Sequence, residues 1–435
     1  MKKMIISLLE AHKEIGSWNL TVNREERDEL YLIFDTVEQK RRIEEVLYHI
    51  EILVHKEKEK EGKRFTGSSS FQALPGESES ALQRKIDDAV TAASLALNPF
   101  YDYDEFVPAK EKAEICDPLI RSDRARAMDE MKEKIFDIMK ANPDVRLASS
   151  EIFLTCIRQE RFNSKGLSHT SDKSEALLET VFLTGEGEDE VESVLTREER
   201  FIKNIDLEKV MQKYIGFARD NLTAKLPKTG KYDVIFTEEA LDNFFDFYIS
   251  QLNASMKYNK MSVFSPGETI ADEFSGDRLT LSFNPHIPGG YRSMDYDHYG
   301  TLARKTEVIE NGIVKGFSAD RKYATYLNMP CTGSPGNTEV KTGSRSFKDL
   351  ETEGTYVLSR FSTFTPNALT GAFSGEIRNG YVVKNGKRVP VKGGSVTGMM
   401  KEAMSRVFFS SEEVLRRSYK GPEYIKVLNV DIAGE

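Results

Sequence analysis

The chain contains few of the residues from which disulfide frameworks, zinc knuckles and membrane spans are built. Three of its 435 residues are cysteines and six are histidines. Cys116, Cys156 and Cys331 are widely spaced and odd in number, which excludes a disulfide framework and a CxxC metal site and suits a reducing compartment. No apolar run approaches the roughly 20 residues that span a bilayer, and the N-terminal residues predict a helix rather than a signal peptide. We therefore expect a cytoplasmic protein without a membrane partner.

A basic surface is also missing. Acidic residues outnumber basic ones, and the formal net charge is −9. Nucleic-acid-binding proteins usually carry a basic stripe that faces the phosphates, so we expect no nucleic-acid partner. Two charged runs are predicted to be solvated: the alternating run Lys56–Glu61, and the acidic run Gly185–Glu190, which lacks the ligand spacing of a calcium loop.

Common catalytic motifs are absent from the sequence as well. It contains no nucleophile elbow, P-loop, dinucleotide fingerprint or HExxH. His49 and His55 share one face of a predicted strand, opposite its apolar face, because side chains alternate along a strand. We interpret the pair as part of a solvated face rather than as a metal site.

The densest group of possible metal ligands is His286 and His298, with Asp295 and Asp297 between them. Zinc sites usually take histidine and carboxylate ligands from a rigid element. This group lies in a segment rich in Pro, Gly and Tyr, which favours turn chemistry. A metal site at His286 and His298 stays open as the alternative.

Local signals predict an α+β fold with two domains, residues 1–225 and 226–435. In the first domain, apolar residues at every second position predict a strand around residues 46–58, and Ser80 begins a helix whose apolar stripe runs from Leu82 to Leu97. A loop at Tyr101–Pro118 separates these elements from two further amphipathic helices. The segment Lys225–Gly230 is the predicted boundary, with helices and strands mixed before it and strands dominating after it.

The second domain is predicted to be rich in antiparallel sheet. Asn-Gly pairs mark type I′ hairpin turns, since both central residues of that turn need positive φ. Such pairs occur at Asn311-Gly312, Asn379-Gly380 and Asn385-Gly386, and the last two predict a three-stranded meander over Phe373–Val391. One helix with an aromatic face is predicted over Glu238–Met256.

Several short motifs follow one another in a fixed order through the second half, and together they resemble the TldD/PmbA family, once called modulators of DNA gyrase. The resemblance is dense from about Lys231 to Phe409 and rests on pattern alone in the first 220 residues. The motifs are Lys260–Phe264, Asn284–His286, Thr306–Gly312, Cys331–Gly333, Leu369–Ile377 and Val389–Val391.

The resemblance implies a two-domain subunit that dimerises around an internal chamber in a cytoplasmic zinc metallopeptidase acting on small or unfolded peptides. Catalytic, TldD-like members carry a helical HExxxH motif. Counting back from Ser262 places its three functional positions at Phe245, Asp246 and Ser250, so this chain lacks both histidines and the glutamate. The chain is therefore more similar to the PmbA/TldE branch.

This branch implies that the chain has no catalytic residues, no zinc and no cofactor of its own. It would contribute to the peptide chamber and pair either with a TldD-like catalytic subunit, in which zinc is expected, or with a second copy of itself. The alternative is a metallopeptidase in its own right that uses His286 and His298. The sequence does not identify the peptide-binding residues.

Overall fold

The computed structural model of the chain describes residues 1–58, 63–96 and 98–435. Residues 59–61 of the alternating charged run, and Leu97 at the end of the predicted helical stripe, lie outside the described residues. The two halves of the chain, residues 1–225 and 226–435, are called the N-terminal and C-terminal halves below.

The N-terminal half is a long antiparallel sheet with helices on one face. Among the described residues its strands pair in the order β4-β3-β2-β1-β5-β6-β7. The elements are α1 (Lys2–Ala11), β1 (Ser17–Ile33), β2 (Thr36–Lys58), β3 (Lys63–Ala73), α2 (Glu79–Leu95), β4 (Asn98–Pro99), α3 (Pro118–Ser122), α4 (Arg124–Lys140), β5 (Arg146–Asn163), β6 (Ser168–Thr184), β7 (Val191–Glu199) and α5 (Leu207–Asn221).

Alternation of side chains gives this sheet two different faces. The apolar face packs against α1 and α2 at one end and against α4 and α5 at the other, which forms two neighbouring cores. The opposite face carries polar and charged residues at alternate positions, and the middle of that face meets the C-terminal half. The predicted strand around residues 46–58 is confirmed as part of β2. Helix α2, however, begins at Glu79 with Ser78 as its N-cap, not Ser80, since the Ser78 hydroxyl accepts the Ala81 N–H.

The C-terminal half consists of two sheets around one core. Its described elements are β8 (Gly230–Phe236), α6 (Ala240–Asn243), α7 (Asp246–Gln251), α8 (Ala254–Tyr258), β9 (Leu281–Asn284), β10 (Thr306–Glu310), β11 (Ile313–Val314), α9 (Arg321–Leu327), β12 (Asn337–Val340), α10 (Phe347–Leu350), β13 (Tyr356–Phe364), β14 (Ala372–Lys384), β15 (Lys387–Val391), β16 (Ser395–Met399), α11 (Met400–Ser405), β17 (Val407–Phe409), β18 (Glu413–Arg416), β19 (Tyr419–Pro422) and β20 (Ile425–Ala433).

One of the two sheets closes on itself. Its strands pair in the order β13-β8-β20-β16-β14, and β14 then pairs back to β13. The other sheet follows the order β11-β10-β9-β12-β19-β18. Apolar side chains from both sheets and from α6–α8 meet in one large core. The α+β class and the β-rich C-terminal half are confirmed.

The three Asn-Gly pairs do not all form turns. Asn311-Gly312 and Asn385-Gly386 have positive φ at both residues, as a type I′ turn requires. Asn379-Gly380 instead lies inside the continuous strand β14, so the prediction of a turn there is wrong. Asn379 is buried, and its Nδ2 donates to Asn221 Oδ1 at 2.9 Å. Pairing with β13 and β15 holds this part of β14 extended.

The predicted helix over Glu238–Met256 is also wrong as a single element, because it is broken into α6, α7 and α8. Glu238 has a φ of 55°, in the left-handed region, and so precedes rather than joins α6. The Asn253 side chain accepts the Ser255 N–H and caps α8, so that α7 ends before Asn253. The apolar stripe is retained across the breaks, since Leu241, Phe244 and other members of it are buried. Among the helices that the structure describes, none is long and apolar enough to cross a membrane.

Candidate functional site

Of the three positions predicted to correspond to the zinc motif, only Phe245 is packed into the core. Phe245 is 1% exposed, and its ring centroid lies 5.2 Å from that of Phe244 and 5.9 Å from that of Tyr419. A hydrocarbon ring offers no lone pair to a metal. Ser250 is half-buried on α7, where its backbone carbonyl accepts the Asn253 N–H at 3.1 Å.

Asp246, the middle position of that motif, lines a cavity of about 200 Å³ together with Arg292. Burial raises the pKa of Asp246 to about 6, and the positive charge of Arg292 opposes this shift. The group can therefore gain or lose a proton near neutral pH. It has no histidine at the flanking motif positions with which to hold a metal.

The loop of His286 and His298 joins the two halves of the chain. His298 Nε2 lies 2.7 Å from Glu51 Oε2 on β2, and this hydrogen bond raises the pKa of His298. Asp297 accepts backbone N–H groups from Tyr299, Thr301 and Ser334 at 2.9–3.0 Å. These contacts are turn chemistry.

Asp295 and His286, in the same loop, are also held by hydrogen bonds to neighbouring protein groups. Asp295 accepts the Ala113 N–H at 2.6 Å and lies 2.9 Å from His169 Nε2. The His286 N–H donates to Asn284 Oδ1 at 3.0 Å. Within the described ranges, no group of three or more His, Cys, Asp or Glu side chains is placed to hold a metal ion.

The histidines of β2 are less solvated than the alternation predicts. His55 Nδ1 lies 3.1 Å from Thr66 Oγ1, and its Nε2 lies 3.6 Å from Asp102 Oδ2. Leu53 on the same face is fully buried beneath Tyr101. The prediction of a solvated face is therefore wrong at His55, because the segment after β4 folds back over it.

A charged cleft, which sequence reasoning did not find, separates the two halves. Its volume is about 470 Å³, and it is lined by Thr196–Glu199 at the end of β7, by Glu239, Asp242 and Asn243 around α6, by Arg360–Thr365 at the end of β13, and by Arg416 and Arg417 at the end of β18. That volume lies in the range of small-molecule and peptide sites.

Glu238 is at the centre of an ion network beside this cleft, which is lined by its partners Arg197 and Arg416. It is 6% exposed and pairs with Arg197 at 2.7 Å, with Arg416 at 3.0 Å and with Lys213. Burial opposes its ionisation, but Lys213 and Arg197 outweigh burial and lower the pKa of Glu238. Arg416 also makes two hydrogen bonds to Asp242, at 2.9 and 2.8 Å. The network joins β7 and α5 of the N-terminal half to α6 and β18.

Glu199 is the carboxyl group of the cleft with the most altered acidity. It is 2% exposed, and its oxygens accept the Arg417 backbone N–H at 3.4 and 3.3 Å. Burial raises the pKa of Glu199 to about 8, so the group is protonated at neutral pH. A protonated carboxyl can donate a hydrogen bond as well as accept one.

Two strand edges form opposite walls of the cleft. Among the described strands, β7 is the last of its sheet and pairs with β6 alone. β13 pairs with β8 through residues 356–358, so residues 360–364 extend beyond that partner. Consecutive residues of both strands line the cleft, whereas a sheet face would present alternate residues. Backbone groups of both strands therefore border the open space.

Two of the three cysteines, far apart in the sequence, are neighbours in the fold. Ser174, which pairs with Cys156 across β5 and β6, bonds through its backbone N–H to Ile115 O at 2.9 Å. Cys116 thereby lies against Cys156, and the hydrogen bond between the thiols lowers the pKa of Cys156 to about 7. All three cysteines are free thiols.

Known proteins match this chain in both sequence and structure. Residues 229–434 match the sequence model of the PmbA/TldA metallopeptidase C-terminal domain. The zinc metalloprotease TldD homolog of Saccharolobus solfataricus is 27% identical over 61% of this chain and 66% of its own length. Metalloprotease PmbA of Escherichia coli O157:H7 is 24% identical over 50% of each chain. The chain thus spans less than two thirds of the length of these relatives in the sequence comparison.

The structural similarity extends further than the sequence similarity. The crystal structure of TldE from Thermococcus kodakarensis superposes with a TM-score of 0.83, at 18% identity, over 100% of both chains. The fold is therefore shared along the whole chain, including the half that the sequence model does not cover. Sequence and structure together support the TldD/PmbA family for this chain, with residues 229–434 matching the family's C-terminal domain.

Proposed function

We propose that the chain is a non-catalytic, PmbA/TldE-like subunit of a cytoplasmic zinc metallopeptidase system that processes small or unfolded peptides. The observation that carries the proposal is the replacement of the zinc motif by Phe245, Asp246 and Ser250, with Phe245 packed among aromatic rings. A metal that activates water must first be held by ligands. Zinc would accordingly be bound by a TldD-like partner, or by no chain at all if the protein pairs with itself.

The charged cleft supports a role in peptide binding. An extended peptide can add to a free strand edge, and main-chain hydrogen bonds then give affinity with little demand on sequence. Both the edge of β7 and residues 360–364 of β13 border the cleft. Glu199 and Arg360 offer a hydrogen-bond donor and a positive charge for the polar groups of such a peptide.

The alternative, a metallopeptidase centred on His286 and His298, finds no support in the contacts of the described residues. The His298 imidazole is paired with Glu51, and the nearby carboxylates accept backbone N–H groups. Using these groups as ligands would break the joint between the two halves. We therefore retain the non-catalytic subunit as the proposal, with residues 1–225 and 226–435 as its two domains.

The test compares the chain alone with the chain mixed with a TldD-like protein from the same genome. We expect the chain alone to hold no stoichiometric zinc and to leave an unfolded peptide intact, while the mixture co-elutes as one complex and cleaves the peptide. One tightly bound zinc per chain, with chelator-sensitive cleavage by the chain alone, would overturn the proposal.

Hydrogen exchange tests the peptide-binding part separately. Adding an unfolded peptide should slow amide exchange in residues 196–199 and 360–365, which border the cleft. The central strand β5 is the internal control, because both of its edges are already paired. Peptide binding without added protection at either edge would refute this role of the cleft.

A further inference from the structure

A second cavity, separate from the charged cleft, lies on the polar face of the N-terminal sheet. It has a volume of about 220 Å³ and is covered by the segment Tyr291–Tyr296. Four basic side chains line it, namely Arg161, Lys173, Arg200 and Arg292, against one carboxylate, Asp295. The lining thus has a formal charge of +3 in a chain whose net charge is −9.

Strand register explains why these charges meet. β5 and β6 pair Arg161 with His169, Gln159 with Ser171, and Ile157 with Lys173. Side chains two residues apart on a strand share a face. Arg161 and Lys173 therefore project from adjacent strands on the polar face, and Arg200 follows the end of β7 beside them.

The two buried guanidinium groups are only partly satisfied. Arg161 Nη1 donates to the carbonyls of Tyr296 and Asp297 at 2.9 and 3.0 Å. Arg200, which is 5% exposed, donates to the carbonyls of Ser174 and Tyr291 at 3.0 and 2.8 Å. The Nε atoms of both arginines are buried and have no partner among the described residues. A buried donor without an acceptor is costly and is rare in folded proteins.

Lys173 makes no direct ion pair among the described residues, although the charges of Glu175 and Glu25 act on it from a distance. No hydrogen bond or ion pair of its Nζ occurs within the part of the chain that the structure describes. Burial lowers the pKa of Lys173, and the positive charge of Arg200 lowers it further. Burial likewise lowers the pKa of Arg161. The cavity is an environment in which positive charge is destabilised.

The carboxylates near the cavity are already engaged. Asp295 uses both oxygens, for the Ala113 N–H and for His169. Glu175 accepts from Arg200 at 2.9 Å, and Glu25 lies 3.2 Å from Arg27. None of these contacts supplies an acceptor to the Nε atoms or to Lys173.

We propose that this cavity binds a phosphate-bearing small ligand, either inorganic phosphate or a phosphomonoester, with Arg161, Lys173 and Arg200 as its main contacts. A phosphate dianion offers several acceptor oxygens and offsets most of the +3 charge, whereas a single carboxylate offsets one unit. Arginine guanidinium groups match phosphate oxygens in geometry, and lysine adds a point charge. Arg292, exposed at the rim, would meet the part of a phosphomonoester that extends from the cavity.

The test is calorimetric titration of the full chain with inorganic phosphate, with glycerol phosphate as the phosphomonoester, and with succinate as a dicarboxylate that matches the phosphate dianion in charge but not in geometry, at constant ionic strength. We expect saturable binding of at least one phosphate compound and weaker or no binding of succinate. Lys173→Met should weaken phosphate binding by about tenfold or more, the scale of a lost charged hydrogen bond. Lys341→Met replaces an exposed lysine that lines another cavity, and this variant should leave the affinity for phosphate unchanged.

Thermal unfolding in phosphate-free buffer checks that the variant folds. Because Lys173 has no partner to lose, Lys173→Met should melt at or above the temperature of the parent chain. If neither phosphate compound binds, or if succinate binds more tightly than both, the proposal fails. Equal phosphate affinity in the parent and the folded Lys173→Met chain would overturn it as well. Preference between the two phosphate compounds identifies the ligand source.

Discussion

Replacing Glu199 by glutamine should change how the stability of the protein depends on pH. Glu199 is 2% exposed, and burial raises its pKa to about 8 from an ordinary value of 4.5. The native state keeps the proton through neutral pH, while the unfolded chain releases it near the ordinary value. Between these two pKa values the native state binds more protons, so stability falls as pH rises.

The magnitude follows from the size of this shift. Each unit of pKa difference corresponds to about 1.4 kcal/mol, so the difference between 4.5 and about 8 sets an upper limit of about 5 kcal/mol. The stabilising contribution is complete below the lower pKa and is lost as pH rises to the upper one. Glutamine keeps the shape and the hydrogen bond from Arg417 but cannot ionise. Relative to the parent chain, Glu199→Gln should therefore gain stability steadily from about pH 5 to about pH 8.

Urea denaturation at several pH values measures this effect. The difference in free energy of unfolding between Glu199→Gln and the parent chain should increase with pH across that range. Glu188→Gln, at an exposed position, controls for the loss of one negative charge. A difference that stays constant with pH would refute the argument that Glu199 is held protonated by burial.

Three further predictions concern the backbone and the thiols. Limited digestion with trypsin should cut first at Lys110, in an exposed segment without regular structure, rather than at Lys225, whose N–H and carbonyl both bond to the segment that ends β15. Cys156 should be alkylated fastest of the thiols near neutral pH, and Cys116→Val should slow it by removing the hydrogen bond that lowers its pKa. Gly386→Val should lower the free energy of unfolding by about 1–3 kcal/mol, because φ is 67° there and no neighbour blocks the side chain.

Each of these three predictions has a control and an outcome that would contradict it. Early cleavage at Lys225 would show that the predicted domain boundary is open in solution. Cys331, whose pKa is raised by burial, is the slow reference thiol, and equal rates would contradict the argument. Asn385→Asp should be nearly silent, since aspartate tolerates the left-handed region. Equal denaturation midpoints for this variant and Gly386→Val would contradict the turn assignment.

The sequence could predict elements whose signal is local, and it failed where a distant contact decides. Asn385-Gly386 and Asn379-Gly380 are the same dipeptide, but only the first lies where the chain can reverse. Asn379 bonds to Asn221, which is 158 residues away. A turn signal read from neighbouring residues alone does not contain that information, so tertiary pairing overrode the local preference.

The candidate site shows the same limit more strongly. The absence of HExxxH could be read from the sequence, because that motif lies on one short segment. The charged cleft and the basic cavity at Lys173 could not be predicted from the sequence. Arg197 and Arg416 meet in the cleft, and Lys173 and Arg292 meet in the cavity, only after the two halves associate. Isolated arginines and lysines are typical of the solvated face of a strand in which polar and apolar residues alternate. Nothing in the spacing of the cleft and cavity residues distinguishes them from other basic residues on such faces.

The ion network at Glu238 bears on why the cleft between the two halves is so polar. Taking a charged group out of water costs roughly several kcal/mol. A buried ion pair therefore often contributes no more stability than apolar residues of the same volume. Stability alone therefore does not account for Glu238, Arg197 and Arg416 at this joint. Their fixed geometry does hold the edge of β7 opposite the end of β13, which is the arrangement that an extended peptide needs. We infer that the network serves to position those two strand edges. Accordingly, Arg416→Met should weaken peptide binding by more than any loss of stability explains, whereas Arg378→Met, at an exposed ion pair, should affect neither.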